Sequence, residues 1–264
     1  MAENRASGNE EAEEAEEAED VIDAEVVEAE ETYGEGAPCW VDARLSDVEA
    51  GKRFYGELFG WTFEDAYGSS VWALLEGALV ASLAPKIDGR MPTVWTVSFA
   101  TPDAEALGRR ITAAGGQVVM APFPVGDLGV AALAADPEGA VFALWQPGRH
   151  RGFGRRHEPG TFVWAQLYTR DTTAANAFYG ALFHDALFGA GAAPDFGRAE
   201  VTEVFPAEMP PHFLTHFRVT ELDDALGAVQ RLGGRVQAPP FEASYGRVAV
   251  VTDNQGASFA LLQR

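Results

Sequence analysis

The sequence predicts an α+β fold in which four βαβββ modules form two lobes in tandem, preceded by a disordered acidic tail. Three observations support this prediction. The two halves of the chain repeat one another, the order strand, helix, strands occurs twice in each half, and acidic residues are concentrated before residue 37. The repeat carries the most weight, because a copied half is expected to fold in the same way as the original.

Residues 1–36 contain 15 of the 40 acidic residues and one of the 19 basic residues. Like charges three and four residues apart repel, and the few apolar residues cannot bury a helix face. We therefore predict a disordered tail that aids solubility, with docking to a basic partner as the alternative. The rest of the chain is only mildly acidic, and its basic residues cluster only in "GRHRGFGRRHEPG". No nucleic-acid partner is expected.

Cysteine and apolar content indicate the compartment. Cys39 is the one cysteine, so no intramolecular disulfide can form. No secretory signal opens the chain, and no apolar stretch is long enough to span a membrane. We expect a cytoplasmic protein without a membrane partner. Two lobes can supply the pairing that single-lobe proteins obtain by dimerising, so either a monomer or a homodimer is expected.

The two halves align along most of their length. Trp40 corresponds to Trp164, and "FYG" at 54 corresponds to "FYG" at 178, both at an offset of 124 residues. Farther on, "AAGGQV" matches "LGGRV", and "DPEGAVFALWQ" matches "DNQGASFALLQ" at an offset of 117. The second half is therefore a copy that has lost residues between 180 and 213, where a strand is dropped or loops are shortened.

The strands and helices of the first half are predicted from residue alternation and from helix-capping residues. "CWVDARL" alternates as a strand does, "SDVEAGKRFYGELFG" is a helix with Ser46 as N-cap and Gly60 as its stop, and "SVWALLEGALVASLAP" supplies short strands. "TVWTVSF" is the next strand, followed by a helix with Thr101 as N-cap and Pro102 at its first position. A hairpin turning on "DPEG" ends the half.

Corresponding elements recur in the second half. "FVWAQLY" and "FLTHFRV" are strands, each followed by a helix, and "QPGRHRGFGRRHEPG" is the Gly- and Pro-rich connection between halves. The predicted organisation is a tail over 1–36, a first lobe over 37–147, a linker over 148–159 and a second lobe over 160–264.

These motifs resemble a known family. The "FYGELFGW" stretch, the "AAGGQV" helix end and the "DPEGAVFALWQ" hairpin are similar to those of the vicinal oxygen chelate superfamily, which includes glyoxalases, bleomycin-resistance proteins and dioxygenases. More narrowly, the chain resembles the two-lobed members that are often labelled "glyoxalase-like" or "hydroxylase", and the resemblance covers residues 37–264. It implies glyoxalase-like lobes in which each pair of modules forms a cupped sheet with the site on its concave face.

Strand alternation then selects the side chains that face each cup. In the first lobe these are Trp40, Asp42, Arg44, Thr96 and Ser98. In the second lobe they are Trp164, Gln166, Tyr168, His216 and Arg218. The complementary residues, including Val41, Val163 and the preceding Cys39, are expected to pack toward the helices.

Metal-using relatives place His or Gln about seven residues before the acidic residue at each helix start, and Glu about seven residues after the hairpin turn. Carried onto this chain, those positions fall on apolar or weakly ligating side chains: Trp40, Thr96, Trp164, Leu214, Ala143 and Ala260. The sequence therefore predicts no metal and no cofactor.

Two functional hypotheses remain. The leading one is metal-independent binding of a small hydrophobic or aromatic ligand, for sequestration or an accessory role in secondary metabolism, with Trp40 and Trp164 stacking on it. The alternative is an enzyme, an isomerase, cyclase, lyase or oxygenase-like protein, that uses Asp42, Arg44 or His216. Both tryptophans could instead simply fill their cups, and Asp42 could pair with Arg44. The first lobe is the more complete copy and the better candidate for a pocket.

Overall fold

The computed structural model describes residues 33–190, 192, 194–206 and 208–264. Most of the predicted acidic tail, residues 1–32, lies outside the described residues. Its last four residues contact the folded part of the chain, since Gly36 N donates to Ala100 O and Glu35 binds Arg110 at 2.8 Å. Within the described part, no helix combines the length and apolar character needed to cross a membrane.

The first lobe is built on one eight-stranded sheet. Its elements in chain order are β1 (Pro38–Leu45), α1 (Val48–Phe59), β2 (Thr62–Asp65), β3 (Val71–Leu75), β4 (Ala78–Pro85), β5 (Val94–Ala100), α2 (Ala104–Ala113), β6 (Gln117–Val125), β7 (Gly129–Ala135) and β8 (Val141–Pro147). The strand order is β2-β3-β4-β1-β5-β8-β7-β6. Strands β1 and β5 are antiparallel neighbours, so the first two modules join within one lobe.

The second lobe repeats this plan in shortened form. Its elements are β9 (Phe162–Thr169), α3 (Thr172–Leu182), α4 (His184–Phe188), β10 (Phe196–Glu200), β11 (His212–Val219), α5 (Leu222–Arg231), β12 (Arg235–Ala243), β13 (Gly246–Thr252) and β14 (Ser258–Gln263). The strand order is β10-β9-β11-β14-β13-β12. The predicted α+β fold with two tandem lobes is confirmed.

Module three is the shortened one. Strand β10 runs parallel to β9, as β4 runs parallel to β1, so β10 is the counterpart of β4. Among the described residues, the short helix α4 stands where the first lobe has β2 and β3. The loss of residues that we predicted between 180 and 213 therefore removed two strands.

Helix starts differ by one or two residues from the prediction. Asp47, rather than Ser46, caps α1, because its carboxylate accepts from Ala50 N at 2.9 Å. Asp103, rather than Thr101, caps α2 by accepting from Ala106 N at 2.9 Å. A carboxylate also interacts favourably with the positive end of the helix dipole.

Repeated motifs of one lobe bind repeated motifs of the other. The hydroxyl of Tyr55, from the first "FYG", donates to Asp253 in the "DNQG" turn at 2.9 Å. The hydroxyl of Tyr179, from the second "FYG", donates to Asp136 in the "DPEG" turn at 3.1 Å. The other oxygen of each aspartate accepts from two backbone N–H groups of its own turn. The two lobes therefore dock through two related hydrogen bonds.

The same turns reach the helix starts of the opposite lobe. Gln255 exchanges two hydrogen bonds of 2.8 Å with the backbone of Asp47. Its counterpart, Glu138, accepts from the hydroxyl of Thr169 and from Arg170 N. Each hairpin turn is thus fixed between a buried tyrosine and the first turn of a helix.

Aromatic side chains fill the space between the lobes. Phe217 of the second lobe packs against Trp95 and Phe59 of the first, with ring centroids 5.0 and 5.1 Å apart. Phe99 likewise stacks on Phe183 at 5.3 Å. Because the helices and this core lie on one side of each sheet, the two concave faces point away from the interface.

We expect Tyr55→Phe to lower the free energy of unfolding by about 1–3 kcal/mol, because Asp253 then loses a buried partner. Asp253→Asn should cost a similar amount, and the double variant should cost less than the two together, since the residues share one contact. Urea denaturation measures all three. Tyr67→Phe, at an exposed residue, is the control, and strict additivity would contradict the coupling.

Candidate functional site

Strand register shows which side chains share the face of the first sheet that carries Trp40, here called cup 1. Trp40 lies opposite Ser98, which lies opposite Ala143, and these residues form the centre of the cup. One row farther along, Trp72, Ser82, Asp42 and Thr96 face the same side across four strands. The other face of β1 carries Val41, Ala43 and Leu45, which are fully buried, as predicted.

Cup 2, the equivalent face of the second sheet, has the same layout. Trp164 lies opposite His216, which lies opposite Ala260. The two centres therefore correspond residue by residue: tryptophan with tryptophan, Ser98 with His216, and Ala143 with Ala260.

These centres do not suit the metal that the fold family implies. The positions where relatives carry ligands do lie in the cups, but they hold indoles, a leucine, a threonine and alanines. Nowhere in the described part of the chain do three or more His, Cys, Asp or Glu side chains come close enough to hold a metal ion. A divalent cation needs several nitrogen, oxygen or thiolate ligands, so the residues at the centres do not fit one.

Trp40 lies at the bottom of cup 1 and is only 6% exposed. Its Nε1 donates to Ser82 Oγ at 3.1 Å, which fixes the orientation of the indole. Trp72 lies edge-on to it at 5.4 Å. The indole is therefore held rigidly by groups of the cup itself.

An imidazole covers this indole. His150 packs edge-on against Trp40 with ring centroids 4.3 Å apart, and it also contacts Trp72 at 4.7 Å and Trp145 at 5.5 Å. The side chain is buried, and burial lowers the pKa of the imidazole to about 4. Its Nε2 has no hydrogen-bond partner among the residues that the structure describes. His150 is therefore a neutral aromatic ring enclosed by three indoles.

The segment that carries His150 is the predicted linker. It is bound to the first lobe, since Phe153 N donates to Cys39 O at 2.9 Å and Gly154 N donates to Leu79 O at 2.8 Å. Gly152 adopts a φ of +130°, and a Cβ there would lie 2.6 Å from Cys39 O. The close approach of the two backbones therefore requires glycine at residue 152. The glycines from which we predicted a linker thus allow this segment to pack against the first lobe and to place His150 over Trp40.

Asp42 and Arg44 form an ion pair beside the aromatic cluster. Arg44 Nε lies 3.2 Å from Asp42 Oδ1, and the side chains are 19% and 38% exposed for Asp42 and Arg44, respectively. Burial raises the pKa of the Asp42 carboxyl, and the charge of Arg44 opposes that shift. The pair is consistent with the structural role that we considered, and it also places two charged groups at the accessible side of the cup.

The opposite wall of cup 1 is apolar and partly open to solvent. Phe123, on the edge strand β6, is 39% exposed, and so is Val94, which is paired with Arg44 on the neighbouring strand and lies on the ion-pair side. Leu133, opposite Ala143, is also partly exposed. Cup 1 therefore presents an apolar wall, an ion pair and a bottom of aromatic rings packed edge-on or tilted against one another.

Cup 2 is more completely filled by its own chain. Trp164 donates from Nε1 to Gln166 Oε1 at 3.0 Å and stacks on Tyr245, at 5.6 Å and 26° between ring planes. Gly197 lies beneath the indole, where a Cβ would come within 2.5 Å of Trp164 Cζ2. His216 is fully buried beside these rings, and burial lowers its pKa to about 4.

Two predicted site residues of the second lobe lie apart from this group. Tyr168 is enclosed by Phe205 and His212 at the other end of β9, with ring centroids 4.9 and 5.6 Å away. Arg218 turns toward the linker and donates to His157 O at 2.7 Å. Tyr168 is four residues from Trp164 on β9, a separation of about 13 Å. Arg218 is only two residues from His216, but its hydrogen bond to His157 O directs it toward the linker.

Strict alternation also failed at the start of both first strands. The register shifts between Pro38 and Trp40, and between Phe162 and Trp164. Each shift is a β-bulge, in which an extra residue interrupts the alternation of sides. Val163 consequently packs in the cluster of cup 2, with Tyr168 and Leu214, rather than with the helices. Cys39, at the matching bulge, is buried, and burial raises the pKa of its thiol.

Sequence reasoning missed His150, Trp72, Trp145 and Tyr245. His150 was assigned to a linker, and Tyr245 lies in a hairpin turn, so strand alternation could not place either ring. Trp72 and Trp145 lie on strands that were predicted, and extending the alternation argument from the first strand of each module to the others would have found them.

The fold and these cups define a two-lobed protein of paired βαβββ modules. Residues 40–144 match the model of the Glyoxalase/Bleomycin resistance protein/Dioxygenase superfamily. The chain belongs to this superfamily.

Relatives align over nearly the whole chain. "Putative glyoxylase CFP32" of Mycobacterium tuberculosis is 36% identical, covering 88% of this chain and 96% of that protein. The anthracycline biosynthesis protein DnrV of Streptomyces peucetius is 34% identical, covering 88% and 94%. Among solved structures, the 2,3-dioxygenase LapB from Pseudomonas sp. KL28 superposes with a TM-score of 0.60 at 14% identity, covering 89% and 94%, a likeness of fold alone.

The buried histidines predict an acid-sensitive fold. His150 and His216 remain neutral in the folded chain down to about pH 4, whereas in the unfolded chain they take up protons below about pH 6.5. The free energy of unfolding should therefore fall as the pH is lowered from about 6.5 to about 4, by about 3 kcal/mol for each histidine.

Urea denaturation of wild type and His150→Phe at pH 7 and pH 4.5 measures this effect. The variant should lose less stability than wild type over the interval, because one of the two groups no longer titrates. His184→Phe, at an exposed residue of α4, should behave as wild type. Equal losses for wild type and His150→Phe would contradict the assignment.

Proposed function

We propose that cup 1 binds a small, planar aromatic molecule without a metal ion, in a pathway of secondary metabolism. The observation that carries the proposal is the enclosure of the His150 ring by Trp40, Trp72 and Trp145. The cup centre accommodates an aromatic ring already, and edge and offset contacts of this kind are favourable for any ring of similar size.

A ligand ring would replace the imidazole at this position. The buried Nε2 of His150 lacks a hydrogen-bond partner, and such a group regains one when it moves into water. Displacing His150 therefore costs less than displacing an apolar side chain that is equally well packed. The ligand gains the contacts that the imidazole gives up.

The two sides of the cup favour an amphiphilic ligand. The apolar wall of Phe123 and Leu133 suits the body of a ring system. Asp42 and Arg44, on the other side, can exchange hydrogen bonds with hydroxyl or carbonyl groups at its edge. Few polar groups in a mostly apolar pocket are typical of small-molecule sites.

Two relatives support the class of ligand. DnrV and DauV are named as anthracycline biosynthesis proteins, and each covers 88% of this chain at 34% identity. Their names place them in the formation of polycyclic aromatic compounds. A polycyclic phenol or quinone is accordingly the ligand that we propose for this chain.

A catalytic function is the second candidate, and the Asp42 carboxyl is the observation that favours it. Burial raises its pKa, which makes the carboxylate a better proton acceptor, and it lies in hydrogen-bond contact with a cation. Asp42 could remove a proton from a carbon next to a carbonyl group while Arg44 stabilises the resulting oxyanion.

Binding is predicted to depend on the ring cluster. Titration with 1,4-dihydroxyanthraquinone, followed by tryptophan fluorescence, should saturate with protein that has been treated with EDTA. His150→Ala should bind about tenfold more tightly because the internal competitor is gone. Trp40→Ala should bind about tenfold less tightly because a stacking surface is lost.

His184→Ala is the matched histidine control and should bind as wild type does. Unchanged affinity in both His150→Ala and Trp40→Ala would refute the location in cup 1. Loss of binding on EDTA treatment, restored by a divalent metal, would refute metal independence.

Binding and catalysis are separated by Asp42→Asn. Compounds that copurify with the chain are identified by mass spectrometry and incubated with it in D2O. If the chain only binds, the compound stays unlabelled with wild type and with Asp42→Asn. Deuterium uptake that requires Asp42 would establish the enzyme instead.

A further inference from the structure

Cup 2 contains a buried hydrogen-bond acceptor without a partner. His216 is fully buried, and its Nδ1 lies 3.1 Å from Leu214 O, to which it must donate; the backbone of Trp164 also hydrogen-bonds to the imidazole. A neutral imidazole that donates from Nδ1 carries a lone pair on Nε2. Burial lowers the pKa of His216 to about 4, so this neutral form is present at pH 7. In the part of the chain that the structure describes, Nε2 has no partner.

Aromatic rings lie next to this acceptor. His216 is directly opposite Trp164 in the sheet, and the ring of Tyr245 lies 6.1 Å from the imidazole. Tyr245 comes from the turn between β12 and β13, and it covers one face of the partly exposed Trp164. The acceptor and the indole are therefore closed off by a side chain of a turn, not by a strand.

The rest of cup 2 limits what could enter. Phe205 and His212 enclose Tyr168 at the far end, and Val201, Leu214 and Leu262 belong to the same buried cluster. Among the described residues, Tyr245 is the turn side chain that lies against both Trp164 and His216, so its position is where a ligand ring could reach both. A planar ligand of about one or two fused rings suits a position that one phenol ring now holds.

We infer that cup 2 is a second small-molecule site, in which a planar aromatic donor takes the place of Tyr245 on Trp164 and donates to His216 Nε2. The chemical class is a neutral phenol or a heteroaromatic N–H compound. A ring without a donor leaves the acceptor unpartnered, so it should bind at least about tenfold more weakly. This site differs from cup 1, where an ion pair is the polar feature, and it does not depend on the function proposed for cup 1.

The test uses the full chain with the Trp40→Ala substitution, which weakens cup 1, and 2-naphthol as the probe. Histidine 15N resonances are followed by NMR during the titration. Hydrogen bonding to Nε2 should shift the His216 Nε2 resonance. His212 in the same lobe is the matched control, because its Nδ1 also lies within hydrogen-bond distance of a backbone carbonyl, at 2.8 Å. Its resonances should not change.

Two further measurements test the proposal without any substitution at His216, which is fully buried. 2-Methoxynaphthalene, which has no donor, should bind at least about tenfold more weakly than 2-naphthol. Tyr245→Ala should bind 2-naphthol several-fold more tightly, since the covering ring is removed.

Binding of 2-naphthol that leaves the His216 Nε2 resonance unchanged would overturn the inference, and so would equal affinity for the two naphthalenes. Both results concern lobe 2 only. They can be obtained whether or not 1,4-dihydroxyanthraquinone binds in cup 1, so failure of one proposal is distinguishable from failure of the other.

Discussion

The hydrogen bond from a buried tyrosine to a turn aspartate is the interaction on which the rest of the structure depends. It occurs twice, from Tyr55 to Asp253 and from Tyr179 to Asp136, each time between lobes. A buried carboxylate is stable only when its oxygens are satisfied, and each aspartate uses one oxygen for its own turn and the other for the opposite lobe. Turn geometry and lobe docking are therefore coupled, which gives a physical reason for the two motifs to occur together in both halves.

This docking determines where ligands can reach. The helices and the aromatic core occupy the inner side of both sheets, so the concave faces open outward. The centres of those faces hold Trp40 and Trp164, which lie where related proteins place metal ligands. Each indole is covered by a ring from an irregular segment, His150 in cup 1 and Tyr245 in cup 2. The space that a metal and its substrate would need is occupied by aromatic side chains.

The two cups have diverged despite their common layout. Cup 1 keeps all its strands, an open apolar wall and the Asp42–Arg44 pair, whereas module three retains only β9 and β10 as described strands. Phe205 packs in the buried cluster of cup 2, in the module whose described residues contain no counterparts of β2 and β3. Among the described residues at the centre of cup 2, the buried acceptor His216 Nε2 lies beside the indole of Trp164, which stacks on Tyr245. The ligands that we propose for the two copies therefore differ: a larger amphiphilic ring for cup 1 and a small donor for cup 2.

The sequence by itself determined the modular fold and which side chains of β1 and β5 point into the cup. It also showed that the expected metal positions hold no suitable ligands. The modular fold and the strand faces depend on local periodicity and on the internal repeat, whereas the expected metal positions came from the family resemblance. Tertiary structure alone decided the coverage of the cups, because His150 and Tyr245 lie in irregular segments whose course is set by contacts with distant strands. It also decided the positions of Tyr168, which lies about 13 Å along β9 from Trp164, and of Arg218, which is held by His157 O in the linker. Bulges at Cys39 and Val163 likewise arise from pairing between strands, and alternation within one strand contains no information about them.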